Sequence, residues 1–203
     1  MEYVWIILGA YLIGSCNPTL LLGKLKKVDM RKSGSGNLGA SNATIVLGWP
    51  LGIAAGAFDI GKAWLAVWLA GALFPQAEYA GAAAGVACVV GHIFPFYNRF
   101  RGGKGFAAYL GMTLGLNWKL ALCVMAAVVV VTVLTDYIVT GTMLTIAVVP
   151  VCMGIFSRSL PMACILLAGS AVVVCVHWEN FRQVLRGEFI GLRSTFKGEN
   201  RKK

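Results

Sequence analysis

Long apolar segments alternate with short polar ones from one end of the chain to the other. Six apolar segments approach the roughly 20 residues that a helix needs to cross a lipid bilayer: 3–23, 43–74, 77–97, 120–134, 138–156 and 161–176. The second is long enough that we expect it to tilt or break. A seventh segment, 106–118, is short for a crossing. The pattern predicts an all-α, polytopic integral membrane protein.

The distribution of basic residues decides how the short segment is counted. Fifteen of the 18 lysines and arginines lie in three places: 24–32, 98–104 and the tail after His177. The positive-inside rule places such segments in the cytoplasm. If 106–134 formed a single crossing, the tail would lie on the opposite side from the other two. We therefore predict about seven transmembrane helices, with the N-terminus outside and the C-terminus cytoplasmic.

Composition excludes an ordinary soluble domain. The 203 residues are 58% hydrophobic and only 13% charged, whereas soluble domains carry about 25% charged residues. The net charge of +10 fits membrane orientation and contact with anionic lipid better than binding to nucleic acid. The cysteines and histidines show no metal-ligand spacing, so we expect no metal and no cofactor.

The first polar segment, 33–42, reads Ser-Gly-Ser-Gly-Asn-Leu-Gly-Ala-Ser-Asn. Its glycines allow successive amide N–H groups to turn toward one point, and such a nest attracts anions. The segment opens directly into an apolar helix, whose N-terminal dipole also favours a phosphate. It predicts an anion site at the membrane surface. The candidates are Gly34, Ser35, Gly36, Asn37, Gly39, Ser41 and Asn42.

The second polar segment, 91–105, ends in Arg-Gly-Gly-Lys-Gly. Lys104 is a point charge on a flexible backbone with free amides, which suits a phosphate. Because glycine follows the lysine, the segment is not a Walker A loop. A basic loop that serves orientation alone would explain Arg99 and Arg101 equally well. The candidates are His92, Arg101, Gly102, Gly103, Lys104 and Gly105.

Further candidates lie at the end of the last span and inside the second. His177 and Asn180 are three residues apart and would share one face of a helix. Asp59 and Lys62 are charged residues within an apolar segment. Their pairing with each other and a functional role are two equally weighted explanations.

Together these segments resemble the bacterial membrane family of acyl-phosphate:glycerol-3-phosphate acyltransferases, known as PlsY. The residues that carry the resemblance are Gly14-Ser15, Pro18, the loop 34–42, Asp59, Lys62, Gly91-His92, Phe94-Pro95, Arg101-Gly102-Gly103-Lys104-Gly105, His177, Asn180 and Gly187-Glu188. The resemblance implies transfer of a fatty acyl group from acyl phosphate to the 1-hydroxyl of glycerol 3-phosphate. The products are lysophosphatidic acid and phosphate, in the first step of phospholipid synthesis.

The resemblance also implies the setting and the roles. It implies one membrane-embedded domain over 1–203, monomeric, in the bacterial plasma membrane, with its active site at the cytoplasmic face. Carried over to this chain, the catalytic residues are Ser35, Lys104, His177 and Asn180. The remaining candidates of the segments 33–42 and 91–105, together with Glu188, bind substrate.

The chain departs from the family pattern at three positions. Ile45 and Asp136 stand where the family usually has arginine, and Ser41 replaces a common threonine. These departures leave open a divergent acyltransferase with another acceptor. A membrane transporter of anions or phosphate esters is a further alternative, but its polar residues would line a path through the bilayer. Here they cluster on one face.

Overall fold

The computed structural model describes residues 1–189 together with Gly191 and Arg193. Within these residues the regular structure is helical throughout, as predicted. The chain forms two compact units, Met1–Trp118 and Lys119–Lys203. The prediction of a single domain over 1–203 stays a prediction.

The first unit consists of six α-helices and one short 3-10 helix. The α-helices are α1 (Glu2–Ser15), α2 (Pro18–Leu25), α3 (Ala40–Leu47), α4 (Trp49–Leu73), α5 (Ala80–Ile93) and α6 (Phe106–Leu116), and the 3-10 helix is Phe96–Asn98. Glycines bring the helix backbones together: a Cβ on Gly14 of α1 would meet the backbone of Cys88 in α5. A Cβ on Gly111 of α6 would meet the backbone of Ile60 in α4. Small residues at helix crossings are typical of packing in lipid.

The predicted span 3–23 corresponds to the apolar helical segment Glu2–Leu25, but this segment consists of two helices, because the chain breaks at Cys16 and Asn17. The Asn17 side chain accepts a hydrogen bond from Leu20 N at 2.8 Å and so caps α2. Pro18 follows at the first helical position, where its missing N–H costs nothing. Asn-Pro inside an apolar run is a sequence signal for this break.

The long segment 43–74 does break, at Gly48, where φ is +90°. The break turns α3 back along the start of α4. A Cβ on Gly52 would lie 2.7 Å from Thr44 Cα, and one on Gly56 would lie 3.3 Å from Ala40 Cβ. As a result, the end of the polar loop at Ala40 lies against α4.

The second unit contains α7 (Trp118–Thr135), α8 (Ile138–Ser157) and α9 (Leu160–Leu185). Ser159 caps α9 by accepting a hydrogen bond from Met162 N at 3.3 Å. α9 continues well past 176, the predicted end of the last span, so His177 and Asn180 lie on the same helix as that span. Asp136 lies in the turn between α7 and α8, with φ of 71°.

Six helical segments are long and apolar enough to cross a membrane. They are Glu2–Leu25, Trp49–Leu73, Ala80–Asn98, Trp118–Thr135, Ile138–Ser157 and Leu160–Leu185, and Phe106–Leu116 is a shorter apolar helix. The chain is therefore a multi-pass membrane protein. The count of seven crossings and the orientation of the termini stay predictions.

Candidate functional site

The first glycine loop, 33–42, is held in shape by the buried side chain of Asn42. Its Oδ1 accepts a hydrogen bond from Ser35 N at 2.8 Å. Its Nδ2 donates to the carbonyls of Met30 and Ser33, both at 3.1 Å. The residue is completely buried. The amide therefore organises the loop from its helical end.

Two glycines of this loop have conformations that other residues rarely adopt. Gly34 has φ of 59° and Gly36 has φ of 70°. A Cβ on Gly34 would meet the Asn42 side chain, and one on Gly36 would lie 2.9 Å from the Arg31 carbonyl. A side chain at Gly34 would therefore disrupt the Asn42 contacts, and a side chain at either position would strain the backbone.

The polar side chains of the first loop differ in exposure. Ser35 and Ser41 are exposed, whereas Asn37 is partly buried. A Cβ on Gly39 would lie 3.0 Å from Asn37 Nδ2, so the asparagine folds over its own loop. The two hydroxyl groups are accessible to a ligand.

The second glycine loop, 98–105, is held by the C-terminal end of α5. Gly102 N donates to Ile93 O at 2.9 Å, and Gly103 N donates to His92 O at 3.2 Å. The Asn98 side chain donates to the carbonyl of Arg101, whose own side chain is exposed. Gly105 has φ of 86° and is the N-cap residue of α6.

The two glycine loops meet at Gly103. A Cβ on this residue would lie 3.0 Å from Leu38 O in the first loop and still nearer to the His92 ring. Leu38 O also accepts a hydrogen bond from Asn17 Nδ2 at 3.0 Å. The structure thus brings together the first two polar segments that the sequence singled out.

Lys104 follows this contact and is partly buried. Burial lowers the pKa of its ammonium group, because leaving water disfavours the charged form. In the described part of the chain no carboxylate forms an ion pair with it. A bound phosphate would supply the missing negative charge.

His92, predicted to bind substrate, is buried with only 3% of its surface exposed. Its Nδ1 lies 3.2 Å from Asp59 Oδ1 and 3.0 Å from Lys62 Nζ. Asp59 and Lys62 pair with each other at 2.7 Å, as one of the two explanations expects, and a functional role for these charges stays a prediction. Sequence reasoning did not place His92 beside Asp59 and Lys62, because His92 lies some thirty positions further along the chain.

The remaining candidates lie in the second unit. His177 is 6% exposed, and its Nδ1 lies 3.0 Å from Val173 O, one helical turn earlier. That contact requires the proton on Nδ1, so Nε2 is the unprotonated nitrogen of the neutral ring. Asn180 is partly buried on the same helix. Glu188 is exposed and follows Gly187, whose φ is 71°.

A turn of the second unit carries one of the departures from the family pattern. Asp136 Oδ1 accepts a hydrogen bond from Arg193 N at 2.8 Å. The Arg193 side chain donates to Val133 O at 2.7 Å. Next to this contact, the rings of Tyr137 and Phe189 pack edge to face with centroids 6.1 Å apart. Asp136 therefore contacts Arg193, five residues after Glu188.

These features define a multi-pass helical membrane protein with a pair of joined glycine loops and a lysine that has no ion-pair partner among the described residues. A sequence model described as glycerol-3-phosphate acyltransferase matches residues 4–187. The chain belongs to the glycerol-3-phosphate acyltransferase family.

Relatives named glycerol-3-phosphate acyltransferase occur in several bacteria. The protein of Gloeobacter violaceus is 37% identical over 183 residues, which cover 88% of this chain and 89% of the relative. That of Trichlorobacter lovleyi is 38% identical over 187 residues, with 90% and 93% covered.

Two crystal structures of PlsY (YgiH), an integral membrane glycerol 3-phosphate acyltransferase, share this fold. The glycerol 3-phosphate form has a TM-score of 0.87 and 26% identity, and covers 94% of this chain and 96% of that one. The lysophosphatidic acid form has a TM-score of 0.86 and 25% identity, with 97% and 99% covered.

Proposed function

We propose that the protein transfers a fatty acyl group from acyl phosphate to the 1-hydroxyl of glycerol 3-phosphate. The products are lysophosphatidic acid and inorganic phosphate. The contact between the two glycine loops at Leu38 and Gly103, with Lys104 beside it, is the observation that carries this proposal. It gives one small region of the first unit exposed hydroxyl groups and a cation, both of which suit phosphate groups. The amides of Gly102 and Gly103 instead donate to carbonyls of α5.

The reaction needs positioning more than covalent chemistry. Acyl phosphate is already activated: the glycerol hydroxyl oxygen attacks the acyl carbonyl carbon, and the bond from that carbon to the phosphate oxygen breaks. The enzyme has to hold two negatively charged substrates close together and orient one hydroxyl. Such positioning can lower the barrier by about 7–11 kcal/mol.

We assign the loop 33–42 and Lys104 to binding phosphate and to stabilising the oxyanion that forms at the carbonyl. Ser35 contributes an accessible hydroxyl and Asn42 holds the loop that presents it. His177 and Asn180 orient the substrate in this scheme, which follows the family resemblance. Arg101 and Glu188, both exposed, are proposed to bind substrate on the same basis.

The proton of the attacking hydroxyl has two acceptable destinations. The Nε2 atom of His177 is the unprotonated nitrogen of the neutral ring when Nδ1 donates to Val173 O. Alternatively, a phosphate oxygen of the substrate takes the proton. Replacing His177 by Gln removes the base but keeps an amide. If this variant lowers kcat by the same factor at every pH, the result would favour the substrate phosphate as the proton acceptor.

We further propose that the protein acts as a monomeric single domain in the bacterial plasma membrane, with its site at the cytoplasmic face. The basic segments 24–32 and 98–104 support this orientation through the positive-inside rule. No cofactor is required by the proposed reaction, because the donor carries its own leaving group.

Purified protein supplied with acyl phosphate and glycerol 3-phosphate tests the proposal directly. We expect lysophosphatidic acid and phosphate in equal amounts, and no product with acyl coenzyme A as the donor. Absence of product from acyl phosphate would refute the proposed donor. Lys104→Ala should abolish most activity, whereas Lys119→Ala, at an exposed lysine outside both loops, should retain it.

One observation favours a different acceptor. Ile45 is 55% exposed on α3, one turn after Ser41, where the family usually has arginine. An apolar side chain there could suit an acceptor with less charge than glycerol 3-phosphate. The ratio of kcat/KM for glycerol 3-phosphate to kcat/KM for an uncharged glycerol derivative would decide between the charged and the less charged acceptor.

A further inference from the structure

Three ionisable side chains form a buried cluster between α4 and α5. Asp59, Lys62 and His92 are 1%, 5% and 3% exposed. Asp59 Oδ1 lies 2.7 Å from Lys62 Nζ and 3.2 Å from His92 Nδ1, and the latter two atoms are 3.0 Å apart. Ionisable groups within a membrane span are costly to bury and point to a function.

The cluster is tied to the first glycine loop through the break between α1 and α2. Lys62 Nζ donates to Cys16 O at 2.7 Å. This carbonyl would accept from Leu20 N in a continuous helix, but Leu20 N donates to Asn17 Oδ1 instead. The other end of the same Asn17 amide donates to Leu38 O of the loop at 3.0 Å. Lys62 thus holds the backbone of Cys16, and the side chain of the next residue, Asn17, holds the first glycine loop.

The cluster is tied to the second glycine loop through His92. The backbone carbonyl of His92 accepts from Gly103 N at 3.2 Å. Its ring is in close contact with Gly103, because a Cβ there would overlap Nε2. The same Cβ would lie 3.0 Å from Leu38 O. The three charged or polar side chains therefore support both loops at the point where the loops meet.

We propose that Asp59, Lys62 and His92 form a positioning device that fixes the two glycine loops relative to each other. His92 then acts through the loops, and not as a ligand of the substrate. The inference rests on the proposed function only in taking these loops as the phosphate sites. A buried ion pair that merely packed helices could be replaced by apolar residues at little cost.

A charge-neutral double variant separates positioning from folding. Asp59→Asn or Lys62→Met alone leaves a buried charge without its partner and should lower Tm. Asp59→Asn with Lys62→Met removes both charges, and should recover most of the Tm. Glu179→Gln with Arg182→Met is the matched control, since it removes an exposed pair with the same spacing.

Hydrogen exchange, followed by mass spectrometry on full-length protein in detergent, is the deciding measurement. We expect amides in 33–42 and 98–105 to exchange about tenfold faster in the double variant, which corresponds to one lost hydrogen bond. The control should exchange like wild type. Wild-type exchange in both loops of a folded double variant would overturn the proposal. This readout needs no turnover, so it stands even if the proposed reaction is wrong.

His92→Asn provides a second test if the double variant does not fold. The asparagine amide can occupy the Nδ1 position beside Asp59, but nothing replaces Nε2 beside Gly103. We expect faster exchange in 98–105 and a KM for glycerol 3-phosphate raised about tenfold, with Tm close to wild type. Unchanged exchange and unchanged KM would refute a positioning role for His92.

Discussion

Removing the side chain of Asn42 should open the first glycine loop without unfolding the protein. The amide makes three hydrogen bonds to backbone groups of the loop and its approach, at 2.8, 3.1 and 3.1 Å. A net contribution of about 1 kcal/mol for each bond gives about 3 kcal/mol in total. This corresponds to a factor of roughly 150 in the equilibrium between closed and open loop.

Two further variants make the prediction specific to the amide. Asn42→Asp keeps the acceptor for Ser35 N but places a carboxylate against the carbonyls of Met30 and Ser33. It should therefore be at least as harmful as Asn42→Ala. Ile45→Ala, on the next turn of α3 with an exposed side chain, should change stability by less than about 0.5 kcal/mol.

Hydrogen exchange in 33–42 and the rate of lysophosphatidic acid formation are the measurements. Asn42→Ala should speed exchange in this segment by roughly two orders of magnitude, in line with the loss of its three bonds, and should lose most activity. The reasoning would be refuted by a well-folded Asn42→Ala protein that exchanges and reacts within about twofold of wild type. Rescue by Asn42→Asp would show that the acceptor alone matters.

Three other predictions concern the loops and their surroundings. Because burial lowers the pKa of Lys104, its charge is lost as pH rises through a value below the usual lysine range. Glycerol 3-phosphate affinity should fall there in wild type and stay level in Lys104→Arg; a level wild-type profile would contradict this. Gly103→Ala should lower activity more than tenfold, since its Cβ would lie 3.0 Å from Leu38 O and still nearer to the His92 ring. Gly71→Ala, with open space around it, is its control, and equal activities would rule the clash out. Ile45→Arg should lower the KM for glycerol 3-phosphate about tenfold through one charge-assisted bond; an unchanged KM would mean that the departure is harmless.

Much of the architecture could be predicted from the sequence, because a helix needs about 20 mostly apolar residues to cross the lipid bilayer. The spans at 138–156 and 161–176 both correspond to observed helices. The predicted span 161–176 ends where hydropathy falls at His177, whereas the backbone continues as a helix to Leu185. Hydropathy reports the solvent around a helix, whereas the hydrogen bonds that continue it depend on the backbone.

The glycine loops were recognisable, but their supports were not. Glycine-rich polar segments between spans are visible in any reading of the chain. The contact of Asn17 with Leu38 joins positions 21 apart, and that of Lys62 with His92 joins positions 30 apart. No local pattern encodes such pairs, because they arise only when helices pack. The same limit explains why Asn42 could be selected as a loop residue without its organising role being foreseen.

The anchoring of the first loop by one buried amide has a consequence for how the enzyme can be diversified. The Asn42 side chain hydrogen-bonds only to main-chain atoms of the loop and its approach. The shape of the loop therefore depends little on which side chains stand at its exposed positions. Ser41 could then be varied in a library while Ser35 and the shape of the loop stay intact. Such a library is a natural starting point for evolving acceptance of new polar alcohols.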